Sequence, residues 1–283
     1  MIKIATIAGS DASGGAGLEA DLKTFEEYGL YGMAAVTLIA TMDPKNNWAH
    51  AVFPIDENCL RAQMETIFSG VGAAAVKSGM LGTFYAVDLC AEFIKAKKIE
   101  DYVLDPVMVC KGAGEALNPK LNSAVAEKLL PLANVATPNL FEAEQLTGLK
   151  NVNSLDKMKE AAKIIFDKGT RHVFIKGGSR MHGGTDASKA IDLFYDGKNF
   201  ETLEADLVKT AWNHGAGCTT SAAIASGLAM GLSPFDSVRL AKQFITSSLR
   251  SSFSLNQWVG PGSPSAWRTA YGSADSDFSK TVS

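Results

Sequence analysis

Cysteine is scarce and scattered. The chain has four, Cys59, Cys90, Cys110 and Cys218, with no CxxC pair and no zinc-ligand rhythm. A disulfide framework and a structural zinc site are excluded, and reduced thiols in a cytoplasmic protein are expected. Positive charge is not in excess either. The 27 Lys and Arg against 30 Asp and Glu leave a formal charge of −3, which gives no general attraction to nucleic acid or an anionic membrane. No apolar run is long enough to cross a bilayer, and the opening stretch Ile2–Ala8 is too short for a signal h-region. Also missing are GxxxxGK[ST], GxSxG and HExxH, so P-loop nucleotidases and the common hydrolase classes are unsupported. There is no low-complexity linker and no repeat. Residues 1–270 are therefore read as a single domain, and the Ser/Asp-rich residues 271–283 as a flexible tail.

What is present is enough apolar sequence for a large core, 46% hydrophobic against 20% charged. Short apolar runs alternate with helical periodicity, the pattern of an α/β protein whose central, mostly parallel sheet has helices on both faces. Strands are predicted at Ile2–Ala8, Met33–Ala40, Ala74–Lys77, Tyr102–Leu104, Asn134–Ala136 and His172–Lys176. Leu18, Leu22 and Phe25 mark the apolar face of a first helix, and Leu60, Met64, Ile67 and Phe68 recur at helical spacing. Further helices are predicted near 84–97, 121–130, 155–168, 218–231 and 234–253. Ile191–Tyr195 followed by Asp196-Gly197 reads as a hairpin at the sheet edge.

Several segments carry chemistry. Gly215-Ala216-Gly217-Cys218 opens an alanine-rich helix, so its unpaired N–H groups can hold an anion, and the helix terminus is expected to lower the thiol pKa. Read alone, the turn also fits a tight bend before a core helix with a buried cysteine. Asp105 ends a strand, where a carboxylate can meet a metal. Asn139 and Glu142 follow another strand, one helical turn apart, both able to hold Mg²⁺ or its waters. Lys176, ahead of Gly177-Gly178, adds a cation that can reach a phosphate. Together these suggest a metal-assisted ATP site. The rival reading is a dinucleotide-binding protein, from Gly15-x-Gly17-x-x-Ala20 with Asp43 as ribose acid. Its spacing is wrong, because six residues separate Ala8 from Gly15, and Asp43 precedes Pro44 in a loop.

The segments Gly9-Ser10-Asp11, Gly14-Gly15-Ala16-Gly17, Ala20-Asp21-Leu22-Lys23-Thr24-Phe25, Val76-Lys77-Ser78-Gly79-Met80-Leu81-Gly82, Asp105-Pro106-Val107-Met108 and Thr137-Pro138-Asn139-Leu140 occur in that order. With the His214–Thr219 turn, they resemble the hydroxymethylpyrimidine (phosphate) kinases and their pyridoxal kinase relatives, of the ribokinase superfamily. The resemblance implies a ribokinase-like fold. It implies ATP and Mg²⁺, with room for a monovalent cation, and a homodimer. It makes Cys218 the catalytic base, with the N–H groups of Gly215, Ala216 and Gly217 as the anion hole. Asp105 and Glu142 would position Mg²⁺, and Asn139, Lys176, Gly177, Gly178 and Asn213 would lie near ATP. Gly9, Asp21, Met80 and Val107 would lie by the substrate ring. Ala216 departs from the family's usual Gly-Thr-Gly, a change that leaves backbone donors in place.

Two positions bear on the substrate. Where hydroxymethylpyrimidine kinases usually carry Thr-Ala-Gln-Asn, this chain has Ala40-Thr41-Met42-Asp43. Met42 cannot pair with a pyrimidine amine, at a cost of about 1–3 kcal/mol for an unpaired buried group, but it can pack on an aromatic ring. Cys110, in the Gly-rich stretch Val109–Gly114, reads either as a buried small residue or as a thiol in a flap. This resembles pyridoxal kinases with two cysteines, and implies a reversible hemithioacetal between Cys110 and the pyridoxal aldehyde. His50 reads as a surface residue or as a contact to the pyridine ring. The expected activity is phosphorylation of the pyridoxal 5′-hydroxyl, with hydroxymethylpyrimidine phosphorylation as the alternative. Cys110→Ala is expected to weaken turnover of pyridoxal more than of pyridoxine, which has no aldehyde. Equal losses for the two in steady-state assays would remove the hemithioacetal.

Overall fold

The computed structural model describes residues 1–108, 119–178 and 188–271. Nine strands form one sheet, in the order β3-β2-β1-β4-β5-β6-β7-β8-β9. They are β1 (Lys3–Asp11), β2 (Tyr31–Asp43), β3 (Ala49–Pro54), β4 (Ala75–Ser78), β5 (Tyr102–Leu104), β6 (Val135–Ala136), β7 (His172–Gly178), β8 (Lys189–Tyr195) and β9 (Phe200–Asp206). From β2 to β7 every neighbouring pair is parallel, whereas β3, β8 and β9 pair antiparallel at the two edges. The helices are α1 (Gly17–Glu27), α2 (Glu57–Glu65), α3 (Phe84–Ala96), α4 (Pro119–Lys128), α5 (Leu140–Thr147), α6 (Leu155–Asp167), α7 (Ala216–Ala229), α8 (Pro234–Arg250) and α9 (Ala266–Tyr271).

Period-two alternation in the central strands sorts side chains to opposite faces. Ile4, Ala75 and Val103 join one core with Phe25 of α1, Ala222 to Ala225 of α7 and Phe244 of α8. Ala5, Val76 and Leu104 join the other, with Leu60 of α2, Leu89 of α3, Leu121 of α4, Ala143 of α5 and Ile165 of α6. The helices thus cover both faces, and parallel strands buried on both sides account for the continuous apolar runs.

The predicted strands and helices agree with the observed elements to within a few residues. Three elements escaped prediction. β2 runs on to Asp43 and turns back as β3, pairing Met42 with His50. The stretch beyond Met42, with Asp43 and His50, reads in sequence as a loop, but both residues lie in strands and only residues 44–48 connect them. β3 was illegible because Phe53 and Val52 are exposed on an edge strand, so no buried face imposed a pattern. Short α5 and α9 also went unread. Of the expected tail, 271–283, Tyr271 ends α9, and residues 272–283 lie outside the described residues, as does Cys110 with its flap.

α7 is buried from Thr219 to Leu228, and its small side chains permit close approach by neighbours. A Cβ on Gly227 would stand 2.7 Å from Ser237 Oγ and 2.9 Å from Ser237 Cα on α8. Gly227→Val is therefore expected to destabilise by about 1–3 kcal/mol through overpacking. Thermal melts would show a lower midpoint, and an unchanged midpoint would mean that α8 yields freely.

Candidate active site

The parallel strands all end on one edge, and the chemistry gathers there, as expected for an open α/β sheet. β1 ends at Asp11, β4 at Ser78, β7 at Gly178, and Asp105 directly follows β5. Asp11, Asp105, Gly178 and, next to the β4 end, Lys77 line a cavity of about 1040 Å³.

α7 starts at this edge. Its N-cap Gly215 has φ +74, and a Cβ there would lie 2.0 Å from the Gly15 carbonyl oxygen. Only glycine lets the two loops meet so closely. They are also tied by Asp11, whose Oδ2 accepts from Ala16 N at 3.0 Å and pairs with His214 Nε2 at 2.6 Å. Burial alone would raise the Asp11 pKa, but bonds from His214 and Ser13 hold it below the usual carboxylate value.

The anion turn differs in one detail from the expected set. The Ala216 N–H donates to the Asn213 carbonyl at 3.2 Å, and the first intrahelical bond runs from Thr219 N to Gly215 O. That leaves the N–H groups of Gly217 and Cys218 without an intrahelical acceptor. The Ala216 departure thus falls at a donor already used within the turn. A Cβ on Gly217 would sit 3.5 Å from Lys176 Nζ and 4.0 Å from Asp105 Oδ2, so the helix start faces that ion pair.

Behind Cys218 lies a fully buried lysine. Lys77 Nζ contacts both carboxylate oxygens of Asp21, at 2.8 and 3.0 Å, and Thr6 Oγ1 donates to the same carboxylate at 2.6 Å. Burial opposes its charge, yet Asp21, Cys218 and Asp105 hold the ammonium well above the ordinary lysine value. Lys77 lines the cavity and Asp21, expected by the substrate ring, does not: it sits behind the lysine.

Cys218 itself overturns one expectation. Burial pushes its thiol up to about 11, and Asp21 and Asp105 add to the rise against the opposing Lys77. The helix terminus was expected to lower it. In the folded chain desolvation and two carboxylates outweigh that dipole, so the resting thiol is protonated at neutral pH.

Asp105 pairs with Lys176 Nζ at 2.8 Å and accepts from Ser221 Oγ at 3.1 Å. Burial would raise its pKa, but Lys176 and Lys77 keep it below the usual range. Glu142 closes a capping box on α5, accepting from Asn139 N at 2.8 Å while Asn139 Oδ1 accepts from Glu142 N at 3.0 Å. Burial raises Glu142 to about 7, Lys176 opposing and Asp105 assisting the rise. No group of three or more potential ligands for a metal ion occurs among the described residues. Two interacting carboxylates suit Mg²⁺, which keeps waters and shares phosphate oxygens rather than taking a full protein cage.

The remaining predicted residues all line this cavity. Gly9, Met42, His50, Met80 and Val107 are among them. Burial and nearby His214 lower the His50 pKa, so the ring is neutral and partly enclosed rather than a solvated surface group. Asn139, Glu142, Lys176, Gly177, Gly178 and Asn213 line it as well, together with Val208, Ile245 and Leu249. The dinucleotide reading fails on Asp43, which is exposed and accepts from Lys45 N in the hairpin turn. Sequence reasoning missed Lys77 and the Asp11–His214 and Asp192–Lys242 pairs as parts of the cavity wall. The available signal was a charged residue inside, or at the end of, an apolar strand run.

The chain belongs to the phosphomethylpyrimidine kinase family, whose model matches residues 11–263. Its fold is accordingly ribokinase-like. It is 52% identical over 271 residues to the putative pyridoxine kinase of Treponema pallidum (strain Nichols), covering 96% of this chain and 100% of that protein. The ADP complex of Bacillus subtilis pyridoxal kinase matches with TM-score 0.90 and 50% identity, over 95% of this chain and 99% of that one. Staphylococcus aureus pyridoxal kinase with AMP-PCP and pyridoxal matches with TM-score 0.88 and 46% identity, over 95% of each chain.

Glu142 gives the ligand-free protein a pH dependence. Its folded pKa of about 7 lies above the ordinary 4.5, so its contribution is full below 4.5 and is lost as pH rises through about 7. The thermal midpoint is expected to fall across that rise, because the unfolded chain releases this proton at a lower pH than the folded one. Glu142→Gln should flatten that part of the profile. An identical slope in both proteins would mean that Glu142 is ionised throughout.

Proposed function

We propose that this protein transfers the γ-phosphoryl group of ATP to the 5′-hydroxyl of pyridoxal, and of related B6 vitamers, giving pyridoxal 5′-phosphate. The observation that carries the reading is the convergence of one helix start with two cations. Cys218 and Gly217 open α7 where Lys77 and Lys176 both reach the cavity wall. Of the residues lining the one cavity, Met42, His50, Met80 and Val107 take the pyridine ring, and Asn139, Lys176 and Gly177-Gly178 take the nucleotide. The transferring group then lies over α7. There the N–H groups of Gly217 and Cys218 and the helix dipole stabilise its equatorial oxygens. Lys176 and Lys77 neutralise charge on either side, and Lys77 keeps that charge because Asp21 is locked to it.

Asp105 and Glu142 would hold Mg²⁺, which supplies charge neutralisation at phosphate oxygens. Its binding requires ionised Glu142, so metal affinity weakens below about pH 7. Met42 favours a pyridoxal ring over an aminopyrimidine, because a thioether packs on aromatic faces but accepts little from an amine. In the cell the protein acts in the cytoplasm as a homodimer. Supporting this, Ile39 and Phe53 pair across β2 and β3 and are both exposed at the sheet edge. Among the described residues, no helix is long and apolar enough to cross a membrane.

The raised thiol pKa changes the role assigned to Cys218. In a loose phosphoryl-transfer transition state the attacking alcohol loses its proton late, so orientation matters more than early deprotonation. The neutral Sγ orients the 5′-hydroxyl. Cys218→Ala is expected to lower turnover by roughly 10²-fold, the cost of a misplaced reactant, while leaving AMP-PCP binding near wild type. Cys218→Ser, which keeps a neutral hydrogen-bonding group, should retain more activity than the alanine variant. Turnover should show no rising limb toward pH 11, the region of the thiol. A serine variant as inactive as alanine, together with such a limb, would restore a thiolate base. Near-normal activity of the alanine variant would remove Cys218 from the reaction.

A further inference from the structure

β7 carries one residue more than its partner strand just where it reaches the cavity. Val173, Phe174 and Ile175 face Tyr195, Phe194 and Leu193 of β8, but the next pair is Gly178 with Ile191. Between those pairs β7 advances by three residues and β8 by two, so a bulge falls on Lys176-Gly177. Bulges bend a strand and re-aim a side chain, often beside an active site. The side chain re-aimed here is Lys176, whose Nζ stands 2.8 Å from Asp105 Oδ1. Gly178, at φ +53, supplies the left-handed step that ends the bulge.

A bulge takes backbone groups out of the ladder, and a buried N–H needs another acceptor. Asp192 on β8 provides it, with Oδ1 accepting from Gly178 N at 3.0 Å. Its Oδ2 pairs with Lys242 Nζ of α8 at 2.5 Å, and the same ammonium donates to the Ala190 carbonyl at 3.0 Å. Both side chains are only 9% exposed. A buried ion pair is a poor way to gain stability, since apolar packing of the same volume often does as well. Its geometry here serves the bulge: the carboxylate is held by α8 on one oxygen and holds the strand backbone on the other.

We infer that Asp192 is a positioning residue for phosphoryl transfer: through the Gly178 N–H it fixes the bulge that aims Lys176 at the ATP phosphates, with Lys242 clamping its carboxylate. The inference rests on the kinase reading above. The test is calorimetric titration with AMP-PCP alongside steady-state kinetics. Asp192→Ala alone strands a buried lysine, so the informative variant is the double Asp192→Ala/Lys242→Met, which removes the acceptor and leaves no charge unpaired. It is expected to bind AMP-PCP roughly tenfold more weakly, the worth of one hydrogen bond to a charged group. KM for ATP should rise while KM for pyridoxal stays unchanged. Asp192→Asn/Lys242→Met, which keeps an Oδ1 acceptor and likewise leaves no buried charge unpaired, should retain most of the nucleotide affinity. In a Lys176→Ala background Asp192→Ala/Lys242→Met should cost nothing further. A folded Asp192→Ala/Lys242→Met variant with wild-type AMP-PCP affinity overturns the inference. So do equal rises in KM for both substrates, an Asp192→Asn/Lys242→Met variant as impaired as Asp192→Ala/Lys242→Met, or additive losses with Lys176→Ala. Failure of the kinase reading is separate: wild-type protein would bind AMP-PCP and leave pyridoxal unphosphorylated.

Discussion

The site depends on one cation held without water. Lys77 is fully buried in the middle of a parallel sheet, and a charge there survives only if carboxylate and hydrogen-bond partners surround it. Asp21 of α1 supplies the carboxylate, and Thr6 of β1 donates in turn to Asp21. This fixes α1 against β4, places the Gly-rich loop before α1 over the strand ends, and brings Gly15 against Gly215. The anion turn of α7 is thereby set beside a permanent positive charge. Removing one partner would leave the other buried and unmatched, so the arrangement is all-or-none in a way that surface pairs are not.

A second set of charges grades outward from it. Asp105, between Lys77 and Lys176, is kept ionised, and Glu142, a step further along the edge, is raised to about 7. Cys218 is pushed the same way by its burial and by Asp21 and Asp105. Groups of similar intrinsic chemistry thus reach different protonation states through position alone. The pattern suits phosphoryl transfer, in which the protein places fixed charges around a group that itself does little covalent chemistry with side chains.

Much of this was legible in the sequence, and the reasons are local. Strands buried on both faces read as apolar runs, and Asn139 and Glu142 stood out one helical turn apart after a strand, where the structure makes them the capping box of α5. Gly215 announced a turn, and φ +74 at that residue bears it out. The unread parts are those where local signals and distant neighbours disagree. β3 has no buried face to pattern it, and the turn between β2 and β3 places Asn47 and Trp48 at positive φ without a glycine. Cys218 sits at a helix start, a local cue for an acidic thiol, but desolvation by the whole fold prevails.

The sequence by itself determined the strand and helix alternation, the sheet type and the turn that opens α7, because each rests on periodicity or backbone sterics within a few residues. It also placed most of the cavity's chemistry at strand ends. Only the tertiary structure decided which charges meet. Asp21 and Lys77 are 56 residues apart, Asp105 and Lys176 71, and Asp11 and His214 203. Coulomb energy depends on distance and burial in space, neither of which a linear pattern contains. The protonation of Cys218, the retreat of Asp21 behind Lys77 and the bulge at Lys176 therefore belong to the fold.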